Sequence, residues 1–167
     1  MKPLRLWVYR LMTCLMPETR MFGVKVRLLR WCGARVGDNV RISSSAIIQG
    51  NGGLEIGDGV WLGAGGLIIS CSPAVVKIGS QCDFGPQVLI ITGTHQIAAD
   101  GGRVAGKGCS KSVTVGEGCW IGARTLILPD VVLPERTLVA AGSVVATPID
   151  SARCLVAGVP AIIKRRL

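Results

Sequence analysis

The sequence predicts an all-β solenoid, a chain wound into a three-sided prism of short strands. Three observations point there. Stepping by six from Val36 gives Val36, Ile42 and Ile48; after an interruption come Ile56, Leu62 and Ile68, then Ile78, Phe84 and Ile90, then Val115, Ile121 and Ile127, and directly onward Leu133, Val139 and Val145. The positions four residues after these are small or β-branched in nearly every case and never charged: Val40, Ala46, Gly52, Val60, Gly66, Ser72, Cys82, Val88, Thr94, Cys119, Thr125, Val131, Thr137, Ser143 and Ile149. One large and one small inward position per six residues describes a short flat strand and a corner, repeated; a helical period does not fit. Composition agrees, since 23 of 167 residues are Gly, 49% are hydrophobic and only 4% aromatic.

Each element can be placed in turn. In residues 1–35, Leu4, Val8, Leu11 and Leu15 form one helical stripe that Pro17 ends, and Met21–Trp31 reads as a second short helix closed by Gly33. Such helices would cap the open first coil, which a solenoid needs to protect. This segment holds eight Lys or Arg against one Glu, so most of the chain's +9 net charge sits here. Residues 36–150 carry the repeat. Gly follows the aliphatic position at 37, 57, 63, 79, 85, 116 and 122, as a turn of positive φ would require. Interruptions fall after Ile48, Ile68 and Ile90, each the third position of a triad, so the inserted segments should leave one edge of the prism and stack. The longest begins after His95, the one histidine of the chain, with an extended loop at about 96–112. Residues 151–167 form a basic tail ending "PAIIKRRL", read as a short strand or helix.

Seven Cys with no CxxC, beside a single His, argue against a zinc site or a disulfide framework and for a reducing cytoplasm. Cys82 and Cys119 take inward small positions, where a thiol packs as a modest hydrophobe. The apolar run "LRLWVYRLMTCLM" is interrupted by Arg10, lacks a small-residue cleavage site and is too short to span a bilayer. A cytoplasmic chain is expected, with possible peripheral contact at the inner face of the membrane through basic residues 1–35. No nucleic-acid partner is expected.

The phrases "IGDGVWLGAG", "VGEGCWIGARTLILPDVVL", "VAAGSVV" and "AGVPA" resemble the hexapeptide-repeat acyltransferase family. The resemblance implies a left-handed parallel β-helix of about five coils, here with a short N-terminal helical cap and a short C-terminal extension. It implies acetyl-CoA as acyl donor, no metal, and a homotrimer whose active sites lie between subunits. "TGTH" is similar to the family's catalytic histidine motif, which makes His95 the general base; a free imidazole titrates near pH ~6.5, suited to taking a hydroxyl proton at neutral pH. Gln87 stands where sugar O-acetyltransferases carry an Asn that holds the acceptor hydroxyl. Trp120 matches a Trp that lines the site; Trp61 occupies the equivalent place two coils earlier, with Asp83 between them as a possible acceptor contact. The CoA groove of the family falls on Gly122, Ala123, Ala141, Gly142 and Ser143, and toward the phosphates on Thr147, Lys164 and Arg165.

The expected function is therefore acetyl-CoA-dependent O-acetylation of a sugar hydroxyl in a surface-polysaccharide precursor, an exopolysaccharide, O-antigen or capsule, by direct attack. Two other readings remain: an antibiotic or nucleotide-sugar N-acetyltransferase, and a non-catalytic β-helical scaffold. A γ-type carbonic anhydrase would share the solenoid but needs three His for its metal, against one here.

Overall fold

In the computed structural model, which describes residues 1–100 and 102–167, two helices precede five coils of three strands each. The helices are α1 (Pro3–Thr13) and α2 (Phe22–Trp31). The first coil contains β1 (Arg35–Val36), β2 (Arg41–Ile42) and β3 (Ile47–Gln49), and the second β4 (Gly53–Ile56), β5 (Trp61–Leu62) and β6 (Leu67–Ile69). The third holds β7 (Val75–Ile78), β8 (Asp83–Phe84) and β9 (Leu89–Ile91), followed by an inserted pair, β10 (Gly93–Ile97) and β11 (Ala105–Ser110). β12 (Val113–Val115), β13 (Trp120–Ile121) and β14 (Leu126–Ile127) make the fourth coil; β15 (Val132–Leu133), β16 (Leu138–Val139) and β17 (Val144–Val145) make the fifth. β18 (Cys154–Gly158) and β19 (Ala161–Arg166) finish the chain.

Equivalent strands of successive coils pair in parallel, giving three faces: β1-β4-β7-β12-β15, β2-β5-β8-β13-β16-β18, and β3-β6-β9-β14-β17. The result is an all-β, three-sided parallel solenoid, consistent with left-handed winding. All fifteen large six-residue positions, Val36 through Val145, are buried. Of the small positions, Ser72 and Thr94 are exposed, because there the chain has left the prism. Leu54, Val76 and Val113 fill the interior after the three interruptions instead.

The glycines after the aliphatic positions serve a purpose other than the positive φ expected of them. None of Gly37, Gly57, Gly63, Gly79, Gly85, Gly116 and Gly122 has positive φ. They sit where one coil lies directly on the next: a Cβ on Gly57 would stand 2.6 Å from the Ser80 nitrogen, one on Gly79 2.6 Å from Glu117 N, and one on Gly85 2.7 Å from Ala123 N. The left-handed residues come two places later and include Asn39, Gln81, Gln87 and Arg124. Between them the amide of each coil's corner bonds the coil above, as in Gly57 N–H to Ile78 O at 2.8 Å and Gly79 N–H to Val115 O at 2.8 Å.

The helices cover the open end of the first coil, with Leu6, Tyr9, Val26 and Leu29 joining the core. Lys25, counted above among the basic residues of the cap, is fully buried. Its ammonium donates to the carbonyl oxygens of Pro17 (3.1 Å), Glu18 (2.9 Å) and Ile42 (3.0 Å), tying α2 to the connecting turn and to β2. Burial pulls its pKa below the ordinary lysine range, and the charge of Glu18 opposes that shift. The stripe expected to seat α1 faces the other way. Leu4, Leu11 and Leu15 are exposed, and the residues that pack inward are Leu6, Tyr9 and Thr13.

At the far end the tail is a strand. β19 turns back antiparallel on β18, so the last coil also ends in a covered edge. Among the described residues no helix is long and apolar enough to cross a membrane, and all seven cysteines are free.

Gly79→Ala is expected to lower stability by about 1–3 kcal/mol, since its Cβ must push two coils apart. The urea midpoint measures it; an unchanged midpoint would mean that the coils separate there at no cost.

Candidate active site

All three interruptions leave the edge between the third and first faces, and they stack. Ser70 N–H donates to Gln49 O (3.0 Å), Thr92 N–H to Ile69 O (3.1 Å), and Cys71 N–H to Thr92 Oγ1 (2.8 Å). The third interruption, expected as an extended loop over about 96–112, is an antiparallel β-hairpin, with Gly93 opposite Ser110, Thr94 opposite Cys109 and His95 opposite Gly108. Residue 101 of that loop lies outside the described residues. The hairpin is anchored at its root: Lys111 N–H donates to Thr92 O (2.9 Å), Ser110 Oγ to Ser72 O (3.1 Å), Val75 N–H to Ser112 Oγ (3.0 Å), and the Lys111 ammonium pairs with Asp130 at 2.6 Å.

His95 stands exposed on β10, just before the irregularity between His95 and Ile97. Gly108 opposite leaves the ring uncrowded; even a Cβ there would lie 3.9 Å from it. Among the described residues no side chain hydrogen-bonds the imidazole, so both nitrogens are free to meet a substrate. A base needs that accessibility.

The other candidates lie elsewhere on the prism. Gln87 is at the corner between the second and third faces, in left-handed backbone at φ 60°. Its Oε1 accepts from Arg124 Nε at 2.8 Å, a partner on the next coil that the sequence reading missed. The same corner continues through Gly122, Ala123, Ala141, Gly142 and Ser143. Ser143 is buried and its Oγ accepts from Gly158 N–H at 3.2 Å, so it offers no side chain to a ligand. The amides of Gly122 and Gly142 donate to Val139 O and Ala123 O, both at 2.8 Å. Thr147 is exposed just after β17, and Lys164 and Arg165 are exposed on β19 at the end of the solenoid. Gln87 and His95 flank β9 from opposite ends, so one chain does not bring them to a common point.

Trp61, Asp83 and Trp120 are paired side by side across β5, β8 and β13 and line a shallow groove of about 300 Å³ with Phe84 and Gly85. The two tryptophans differ. Trp61 meets Phe22 edge-on, centroids 6.0 Å apart, and the Arg41 guanidinium lies 5.3 Å from its ring centre. Trp120 is 60% exposed. Cys82 and Cys119 are buried and donate to Gly116 O and Pro134 O, each at 3.1 Å. The Cys119 contact and burial push the Cys82 thiol up, which keeps it protonated and inert. Among the described residues no three His, Cys, Asp or Glu side chains gather as a metal site.

The fold recurs in known proteins. The chain is 33% identical over 92 residues to the galactoside O-acetyltransferase of Lactococcus lactis subsp. lactis (strain IL1403), a match spanning 55% of this chain and 44% of that protein. It is 28% identical over 138 residues to the putative colanic acid biosynthesis acetyltransferase of Escherichia coli (strain K12), covering 83% of this chain and 72% of that one. Among solved structures, AntD, an N-acyltransferase from Bacillus cereus in complex with dTDP and 3-hydroxybutyryl-CoA, superposes with a TM-score of 0.70 at 19% identity, over 81% of this chain and 73% of that one. No family model matches. The chain resembles the hexapeptide-repeat acyltransferases. The match to the galactoside enzyme takes in less than half of that protein's length.

The tryptophan column holds one packed ring and one exposed ring. Trp120→Ala is expected to leave the urea midpoint within about 0.5 kcal/mol of wild type, as an exposed side chain should. Trp61→Ala is expected to cost about 1–2 kcal/mol through the lost Phe22 and Arg41 contacts. Equal losses would remove the distinction.

Proposed function

We propose that this chain is an acetyl-CoA-dependent O-acetyltransferase acting on a sugar hydroxyl of a surface-polysaccharide precursor, with His95 as the general base. The observation that carries the reading is the placement of the one imidazole: exposed, without a hydrogen-bond partner among the described residues, on a hairpin anchored to the prism at its root. The names of the relatives support the sugar acceptor and the acetyl group. An acyl-CoA held by a protein of the same fold supports the donor.

The step balances without a covalent enzyme intermediate. The acceptor oxygen attacks the thioester carbonyl while His95 takes the hydroxyl proton. The tetrahedral intermediate collapses with cleavage of the C–S bond, and the imidazolium returns the proton to the departing thiolate. The oxyanion needs backbone donors, and the corner amides of Gly122 and Gly142 are already committed. Free N–H groups must therefore come from elsewhere, the exposed residues beside the hairpin or a second subunit. The separation of His95 from Gln87 and from the Trp61–Asp83–Trp120 groove favours the second source. A homotrimer would set the hairpin of one subunit against the corner of the next, with Asp83 and Trp120 on acceptor contacts and Thr147, Lys164 and Arg165 toward the phosphates of CoA. We place the chain in the cytoplasm, with its basic cap as the part that would meet the inner face of a membrane.

The N-acyltransferase of the same fold, a variant of which is also solved with dTDP-4-amino-4,6-dideoxyglucose and coenzyme A, keeps an amino-sugar acceptor as a second reading. Thiol release from acetyl-CoA over a panel of sugars, amino sugars and nucleotide sugars tests both. Turnover with a hydroxyl acceptor that falls by roughly 10²-fold or more in His95→Ala is expected. Turnover confined to amino acceptors would move the reading to N-acetylation; no turnover together with no CoA binding by calorimetry would leave a scaffold.

A further inference from the structure

The cap turns its most apolar surface outward. At ~100° per residue, positions 4, 7, 8, 11 and 12 of α1 fall within an arc of about 140°, positions 6, 9 and 13 occupy the opposite side, and Leu15 follows in the turn after the helix. The second set is buried; of the first, Leu4 is 77% exposed, Trp7 64% and Leu11 52%, and Leu15 is 83% exposed. Monomeric surfaces seldom leave so continuous an apolar stripe open without a use for it. Met21, Val24 and Trp31 extend the exposed apolar surface onto α2 and the turn before it.

The surrounding charge selects the occupant. Lys2, Arg10, Arg20 and Arg27 are exposed and make no ion pair among the described residues. Arg5 lies flat against Trp31, 4.7 Å from its ring centre, with its Nη1 donating to the Trp31 carbonyl at 2.8 Å. The one acidic residue of the segment, Glu18, turns its carboxylate to the Ser45 amide and hydroxyl. A second copy of this chain would bring the same cations against these and be repelled. An anionic lipid surface offers both halves of the match, phosphates for the Arg and Lys heads and a hydrocarbon boundary for the stripe.

We propose that α1 lies in the plane of an anionic membrane surface, with Leu4, Trp7, Leu11 and Leu15 entering the headgroup–acyl boundary and the flanking cations on the phosphates. The proposal deepens the placement at a membrane's inner face given above and rests on it. In the proposed trimer three caps would share one end, so weak single contacts would add through effective concentration.

Flotation of the full chain with vesicles of equal phosphatidylcholine and phosphatidylglycerol, against phosphatidylcholine alone, tests it. Wild type is expected to float with the mixed vesicles and not with the neutral ones. Leu4→Ser/Leu11→Ser should bind about tenfold or more weakly, with an unchanged melting temperature because both side chains already face solvent. Arg10→Gln/Arg27→Gln should weaken binding as well. Absence of wild-type flotation, or equal flotation of the leucine variant, overturns the proposal. So does a drop in oligomeric state of the leucine variant by light scattering without any lipid binding, which would assign the stripe to a contact between copies. Thiol release measured without vesicles keeps the two readings apart: if it fails while flotation succeeds, docking stands and acetyl transfer falls.

Discussion

Successive coils of this molecule meet backbone to backbone at their corners, and the rest of the architecture follows from that closeness. A corner glycine such as Gly79 faces the main chain of the next coil at a distance no side-chain carbon would tolerate. That approach allows the parallel ladders on three faces to run without a bulge from coil to coil, and it aligns the buried aliphatics into columns. It also leaves little freedom inside the prism. Core residues have neighbours above and below fixed by main-chain hydrogen bonds, so chemistry has to be placed where the chain departs from the repeat.

The departures share one edge for a topological reason. An insertion at that edge delays the return of the chain to the first face without disturbing the ladder already formed on the third. Three such delays, stacked through Gln49, Ser70 and Thr92, build a platform from which the His95 hairpin projects. The hairpin has its own antiparallel hydrogen bonds and a salt bridge at its root, so the imidazole has a defined position although no side chain among the described residues hydrogen-bonds it. Among the described residues the imidazole has no hydrogen-bond partner, and under the proposed mechanism its complement comes from substrate or from another subunit.

How much of this the sequence carried depends on how local the determining interaction is. The strand positions were legible because each coil repeats the same inward requirement every six residues, and the three interruptions broke that rhythm visibly. The hairpin was not legible: residues 96–112 are Gly-, Ala- and Lys-rich, and their pairing with Gly93–Ile97 is set by cross-strand bonds that leave no period. The corner glycines were located correctly and explained wrongly, since sequence shows a missing side chain but not whether backbone torsion or a neighbouring backbone demands it. Gln87 was placed by resemblance, whereas Arg124, which holds it, is 37 residues away and visible only once adjacent coils are stacked.

The cap marks the same boundary from the other side. Leu4, Val8, Leu11 and Leu15 describe an apolar face with the correct helical period, yet a period reports only that one face is apolar, not what it meets. The core side of α1 is built from Leu6, Tyr9 and Thr13, which make a weaker pattern, and α2 completes the seal with Lys25, a residue that pattern alone would put in solvent. Lys25 can be buried because three carbonyl oxygens take its three protons, a match created by the turn at Pro17–Glu18 and the end of β2. With the end of the solenoid sealed by the less apolar side of the helix, most of the more apolar side is left to solvent. That exposed apolar surface, borne on the most basic segment of the chain, is open to a partner outside it.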